Sequence, residues 1–262
     1  MSRPTESPPM RAPLRRERRH TLLFLEEIRP ISPVFLDTGV DMTEVRRHRA
    51  AGDGYSTVAY VLHAAARVLA RHPEANAAVQ GRRRPRVAWY PTVNAKLTLD
   101  KIIREQRVVV STVLPDAHLA GLDEIQRRID HFKAGDVATM PEFAPMRALH
   151  RLPLPLARLA YRLAVRPLAK RATTMGTLAV TSLGHRPVDG FYSVGGATIT
   201  LGLGRTAEQP VVRDGAIVIA PVMRLSLTFD HRVIDGAEAA DVLAEIKESL
   251  ETCEALVQEA VS

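Results

Sequence analysis

The stretch that most constrains this chain lies near its C-terminus, where Met223, Leu225, Leu227 and Phe229 alternate with Arg224, Ser226 and Thr228. Period-two alternation puts the first set on one face of an extended chain, so the segment reads as a half-buried strand. It ends at Asp230-His231, and a final helix is expected over Ala237–Leu250, with Asp235 and Glu238 at capping-box spacing. A strand, a short polar loop and a helix in succession fix the loop between two rigid elements.

Upstream of it, Gly176–Ser182, Ala197–Leu203 and Val211–Val212 read as strands. Arg213-Asp214-Gly215 reads as a hairpin turn into Ile217–Ile219, because Asp-Gly tolerates the positive φ that such turns need. In the first half, Val34–Met42 is expected as a strand leading into a short polar helix over Thr43–Ala50. Thr57–Ala70 carries Val58, Val61, Leu62, Ala65, Val68 and Leu69 at helical spacing, and His72-Pro73 closes it. Strands follow at Ala77–Val79, Arg86–Tyr90, Val93–Leu99 and Val108–Leu114, then an amphipathic helix at Leu122–Phe132.

With 262 residues, 46% of them hydrophobic, the chain can bury a full core; one domain over 21–262 is expected, after a basic, disordered tail at 1–20. The net charge of +7 suggests nucleic acid until it is located. Residues 1–20 carry six arginines against two glutamates, and Arg82, Arg83, Arg84 and Arg86 add four charges, so the chain without these two patches stands at −1. No aromatic residues interleave with these arginines to stack on bases, and blocks of like charge are usually solvated, so no nucleic-acid partner is expected. One cysteine, Cys253, excludes an internal disulfide and a cysteine metal cluster, and favours a reducing, cytoplasmic setting. No segment is long and apolar enough to cross a membrane.

From Phe143 to Val188 there is no acidic residue. Leu156–Val165 within it reads as a helix, and prolines 153, 155 and 167 cut the segment into short pieces. A packed surface helix is the expectation, with contact to the phosphates of a ligand or an anionic membrane as the alternatives.

His231, Asp235 and Gly236 form a His-x-x-x-Asp-Gly constellation between the buried strand and the last helix. A loop imidazole held by a rigid scaffold suits a general base, since imidazoles titrate near neutrality. A plainer reading has Asp235 capping the helix and His231 packing. The spacing does not decide, because His185, Asp189 and Gly190 repeat it. That earlier copy leads into a strand with no helix after it, so context favours the later one.

Residues 225–236, LSLTFDHRVIDG, closely resemble the signature of the dihydrolipoamide acyltransferase component of 2-oxoacid dehydrogenase complexes, and more distantly the motif of chloramphenicol acetyltransferase. His72-Pro73-Glu74-Ala75-Asn76-Ala77 resembles the same family's "PELNA" segment, Val108–Ile125 its "VVPVI-D-A…L-EI" segment, and Val180-Thr181-Ser182-Leu183-Gly184 its "TISNLG" strand end. The four stretches keep the family's order and span nearly everything after residue 20.

The resemblance implies a chloramphenicol-acetyltransferase-like α/β fold, a mixed sheet flanked by helices in two layers, assembled as homotrimers or multiples of trimers with the site between subunits. It implies acyl transfer between coenzyme A and a thiol or other small acceptor. His231 would be the base and Asp235 its supporting carboxylate, with Thr181 the oxyanion donor where the family has serine. Ser182, Arg232 and Gly236 would contact coenzyme A, and no metal is needed. Leu99-Asp100-Lys101-Ile102 superficially resembles a lipoyl-lysine motif but lies inside the catalytic-domain match, so no covalent lipoate is expected on this chain. A twenty-residue tail cannot hold a lipoyl domain, which favours a free-standing enzyme. The alternatives are a core subunit served by a separately encoded lipoyl protein and a non-catalytic trimeric scaffold.

Overall fold

The computed structural model describes residues 12–52, 54–81 and 83–253. Six strands form one mixed sheet: β1 (Pro33–Asp41), β4 (Ala95–Ile103), β5 (Gln106–Leu114), β6 (Leu178–Ser182), β7 (Ile199–Arg213) and β8 (Ala216–Asp230). Their spatial order is β1-β8-β7-β6-β4-β5, with β6 parallel to both its neighbours and every other pairing antiparallel. A separate hairpin joins β2 (Ala77–Gln80) to β3 (Arg86–Trp89). A mixed α/β architecture of sheet and flanking helices is therefore present, as expected.

The core forms where α3 (Thr57–Arg71) packs on the sheet beside α4 (Leu122–Ala134) and α8 (Gly236–Thr252). Ser56 caps α3 by accepting from the Ala59 amide at 3.3 Å, and residues 59–66 are all buried, so this helix is apolar around most of its girth. α2 (Thr43–Ala51) covers only one residue, Val45, and is otherwise polar, as its sequence implies. Among the described residues no helix is long and apolar enough to cross a membrane.

Two strands run longer than the sequence suggests. Ala197–Leu203 and Val211–Val212 belong to one fifteen-residue strand, β7, and Ile217–Ile219 and Met223–Phe229 to another, β8. Pro210 and Pro221 look like breaks, but β1 and β6 pair only with the inner halves of these strands. The outer halves form a two-stranded arm in which proline is tolerated, since it lies at the margin of the sheet. Asp214 and Gly215 turn the arm with positive φ at both, as the Asp-Gly pair predicts. Val212, Ile217 and Ile219 stand exposed along it.

The expectation for residues 1–20 needs correction over its described part. Residues 1–11 lie outside the described residues, but Arg16–Arg18 make a 3-10 turn and Arg19 opens α1 (Arg19–Ile28). Arg19 donates to the carbonyls of His150 and Leu152 at 3.1 and 2.5 Å, so contacts made far along the chain order this segment. The acid-free segment forms α5 (Ala144–Arg151), α6 (Leu154–Val165) and α7 (Leu168–Met175), separated at Pro153 and Pro167. Its missing carboxylates come from α1: Glu26 pairs with Arg158 at 2.7 Å and Glu27 with Arg166 at 3.0 Å. The Arg158 guanidinium holds the Glu26 carboxyl below its usual range. α6 buries Ala157 and Val165 and leaves Leu156, Leu159 and Leu163 exposed, so the expected packing of this helix is only partial.

Lys101, in the lipoyl-like tetrapeptide, lies within β4 and donates to the carbonyls of Lys133 and Gly135. Asp100 beside it is clamped by Arg107 across the hairpin. The capping box expected at α8 does not form: the Asp235 side chain accepts no cap hydrogen bond, and Glu238 turns to His72 instead.

His72, which ends α3, sits between Glu238 at 2.7 Å and Glu245 at 2.9 Å. Burial lowers its pKa, but hydrogen bonds and charge from the two carboxylates outweigh that and raise it above 6.5. A raised folded-state pKa stabilises fully below the unfolded value, and the gain is lost as pH rises through the folded one. The urea midpoint is expected to fall as pH rises above 6.5, and His72→Gln is expected to lose that slope.

Candidate active site

β8 ends at Asp230, whose carboxylate organises the turn that follows. The carboxylate is 6% exposed and receives the Arg232 guanidinium on both oxygens, with Nε at 2.9 Å from Oδ1 and the second nitrogen at 2.5 Å from Oδ2. It also accepts from the backbone amides of Ser32 at 3.3 Å and Arg232 at 3.2 Å. The Val233 amide donates back to the Asp230 carbonyl at 2.9 Å, which closes a tight turn, and Ile234 is buried beneath it. Four donors on one buried carboxylate leave the loop little freedom.

The geometry lifts His231 out of this turn. Its amide donates to the Ser32 carbonyl at 2.9 Å and its ring leans on Phe229, with centroids 5.3 Å apart. The side chain is 45% exposed, so the imidazole is held but open. Nδ1 lies 3.4 Å from Oδ1 of Asp235, whose carboxylate is 89% exposed and free of any helix-capping role. A carboxylate on that side favours the proton on Nδ1 and leaves the Nε2 lone pair outward, which is the tautomer a base needs.

Thr181 and Ser182 stand elsewhere. Thr181 pairs in register with Gly202 of β7, which pairs with Ser226 of β8. Two strand spacings and five residues of rise then separate Thr181 from His231 by about 20 Å within one chain. The Thr181 hydroxyl donates to that of Thr98 at 3.1 Å, an arrangement that fixes its rotamer. Ser182 Oγ accepts from the Gly184 amide at 3.3 Å. Gly236 opens α8 with ordinary φ, and a Cβ there would meet nothing within 4 Å, so its value is bare surface beside the loop rather than turn-making freedom.

The other His-x-x-x-Asp-Gly copy is structural. The 189–191 stretch lies across β7, where a Cβ at Gly202 would come 1.8 Å from the Phe191 carbonyl and one at Gly204 2.1 Å from that of Asp189. Ser226 donates to the same Phe191 carbonyl. Asp189 pairs with Arg205, not with His185. Sequence reasoning missed the roles of Ser32 and Thr98, neither of which carries a local signal.

With this geometry in view, known proteins give a consistent picture. Residues 146–258 match the model of the 2-oxoacid dehydrogenases acyltransferase (catalytic domain) family. That part of the chain is similar to this family's catalytic domain. The dihydrolipoyllysine-residue acetyltransferase component of the pyruvate dehydrogenase complex of Bacillus subtilis (strain 168) is 55% identical over 60 residues, which are 23% of this chain and 14% of that protein. The cubic core of the pyruvate dehydrogenase multienzyme complex has the same fold, with a TM-score of 0.70 at 19% identity, covering 96% of this chain and 95% of that one. The same figures hold for a dihydrolipoamide acetyltransferase of Azotobacter vinelandii, studied for the roles of a serine, a histidine and an asparagine in its catalytic mechanism. Chloramphenicol acetyltransferase aligns with a TM-score of 0.51 at 16% identity, over 88% of this chain and 94% of that one. The chain thus shares the expected chloramphenicol-acetyltransferase-like fold.

Removing the Asp230 carboxylate strands the Arg232 charge and the Ser32 amide, so Asp230→Ala is expected to cost about 3 kcal/mol of unfolding free energy. Asp235→Ala, in contrast, is expected to cost less than about 0.5 kcal/mol, against roughly 1 kcal/mol for losing a working N-cap. Urea denaturation of the two variants separates the roles.

Proposed function

We propose that the protein is an acyltransferase moving an acyl group between coenzyme A and a thiol or other small acceptor, in sites that two chains complete together. The observation that carries this reading is a half-exposed imidazole on a rigid loop with the Thr181 hydroxyl about 20 Å away in its own chain. A second copy can bring Thr181 to His231, and a homotrimer closes that arrangement with every site filled. The cubic core among the structural relatives supports an assembly of this kind.

The Azotobacter relative supports the residue roles. Its histidine and asparagine are four positions apart, as are His231 and Asp235, and its serine stands 52 residues before its histidine, where Thr181 stands 50 before His231. The asparagine has become Asp235, which keeps an oxygen toward Nδ1, and the serine has become threonine, which keeps the hydroxyl.

A thiol is mostly protonated at neutral pH, yet its thiolate is the nucleophile. Nε2 of His231 takes the proton as sulfur attacks the thioester carbonyl, and the Thr181 hydroxyl turns its proton from Thr98 to the oxyanion that forms. The tetrahedral species collapses, the carbon–sulfur bond to the leaving thiolate breaks, and the imidazolium returns its proton to that sulfur. Asp235 holds the ring in place. In this reading Ser182 and Gly236 contact coenzyme A, while Arg232 serves chiefly through Asp230, keeping the loop in place beside the ligand. A dihydrolipoyl group on a separate protein is the second acceptor reading, favoured by the names of the relatives. The cytoplasm is the proposed setting.

In an assay of thiol release from a panel of acyl-CoA donors, His231→Ala is expected to lower turnover by at least about a hundredfold. Refolding His231→Ala with Thr181→Ala in equal amounts is expected to restore roughly a quarter of the sites, because an intact histidine and an intact threonine then meet across some interfaces. No release by the wild type with small thiols or a dihydrolipoyl domain, or no recovery in the mixture, would overturn the reading.

A further inference from the structure

At the β5 edge of the sheet, four strand spacings and about 19 Å across from β8, the chain encloses a cavity of about 400 Å³. The 3-10 turn at 16–18, the β4–β5 hairpin, the 136–138 turn and α5 form its walls. Its volume falls within the usual range for small-molecule sites.

Val137, Ile103 and Met146 give the cavity an apolar wall. Arg16, Arg104, Arg147 and Arg151 surround it against two carboxylates, Glu17 and Asp136, which leaves an excess of two positive charges. The carboxylates offset two of the four charges. Asp136 accepts the Ala138 amide at 2.8 Å, and Glu17 lies 3.8 Å from Arg104. Arg147 is fixed by donating to the carbonyls of Val137 and Met140 at 2.8 and 2.6 Å. Among the described residues no carboxylate pairs with Arg16 or Arg151.

His150, paired with His20 behind it in a hydrogen bond, completes the wall. His20 Nε2 lies 2.8 Å from the Val109 carbonyl, which can only accept, so that nitrogen carries the proton. Nδ1 of His20 must then accept, and Nε2 of His150 donates to it at 3.0 Å. The only ring nitrogen of the pair left open to a proton is Nδ1 of His150, on a residue that lines the cavity. Burial, the neighbouring His20 ring, Arg19 and Arg104 push the His150 pKa down to about 4, against the opposing pull of Glu17. The cavity as it stands is poor in negative charge and resists gaining more positive charge.

We propose that this cavity is a second, non-catalytic site for a phosphate-bearing small molecule, with Arg16, Arg104 and Arg151 on the phosphate oxygens and the apolar wall against its body. A phosphomonoester or diphosphate supplies the two or more negative charges that the guanidinium groups lack, in the planar, forked geometry that guanidinium prefers. An oligonucleotide fits less well, because no aromatic ring other than the His150 imidazole lines the cavity to stack on bases. An anion held here also favours a proton on Nδ1 of His150, so ligand and proton bind together. The site does not rest on acyl transfer at His231, and its test reads binding alone.

The experiment is calorimetric titration of the full-length protein with ADP and with pyrophosphate. Wild type is expected to bind one ADP per chain, and the double variant Arg16→Ala/Arg151→Ala about a hundredfold more weakly, at about tenfold for each arginine. Both positions are exposed, and unchanged circular dichroism would establish that the variant folds. Between pH 7 and pH 5, wild type is expected to gain affinity for ADP more steeply than His150→Gln, the ligand's own titration being common to both (roughly the imidazole range). No binding of either probe, equal binding by the double variant, equal pH slopes for wild type and His150→Gln, or tighter binding of a short oligonucleotide than of ADP would each overturn the proposal.

Discussion

One buried carboxylate, that of Asp230, ties together three parts of the chain. It ends β8, receives the backbone amide of Ser32 just ahead of β1, and clamps Arg232 in the loop that leads to α8. Register between β1 and β8 begins at the same place, with Pro33 opposite Asp230. An ionised group so deeply enclosed is tolerable only when its oxygens are filled by donors, and here they are. The position of His231 follows from that constraint, since its amide is bonded to Ser32 as well.

Much of the architecture could be read from the residues because local and long-range signals agree. In α3, helical spacing of apolar residues coincides with a serine cap and a His-Pro terminus, and the observed span of Thr57–Arg71 differs from the expected one by a single residue. β8 was legible from its alternation, and the Asp-Gly turn from its backbone needs. What escaped was set by partners distant in sequence. α1 has no side-chain cap and opens with arginines, so nothing local marks it; its order comes from the His150 and Leu152 carbonyls and from Arg158 and Arg166. The capping box was a sound local inference that lost to tertiary competition, because His72 offered Glu238 a better partner than the helix end did. At the candidate site, His231 and Asp235 were legible as a pair, whereas the separation of Thr181 from them depends on strand register, which no single segment encodes.

The acid-free segment shows how charge can mislead when it is counted along a chain rather than in space. Arg158 and Arg166 look unmatched over forty or more residues of sequence, yet α1 supplies a glutamate to each. Lys96 and Arg171 are buried and bonded to successive carbonyls, of Gly195 and Gly196, with the lysine ammonium over the Phe24 ring. Burial, with Arg171 nearby, brings the Lys96 pKa down to about 7. Carbonyl dipoles and an aromatic face here stand in for the carboxylates that the stretch lacks.

The outer halves of β7 and β8 extend beyond the strands that flank them, so the arm carries open backbone groups as well as exposed isoleucines and valine. Such a ribbon would ordinarily invite strand after strand to join it. Pro210 and Pro221 each withdraw one amide donor from it. A ribbon with gaps in its donor row can grip a neighbour through its side chains but makes a poor template for fibrous growth, which biases self-association toward small, closed rings.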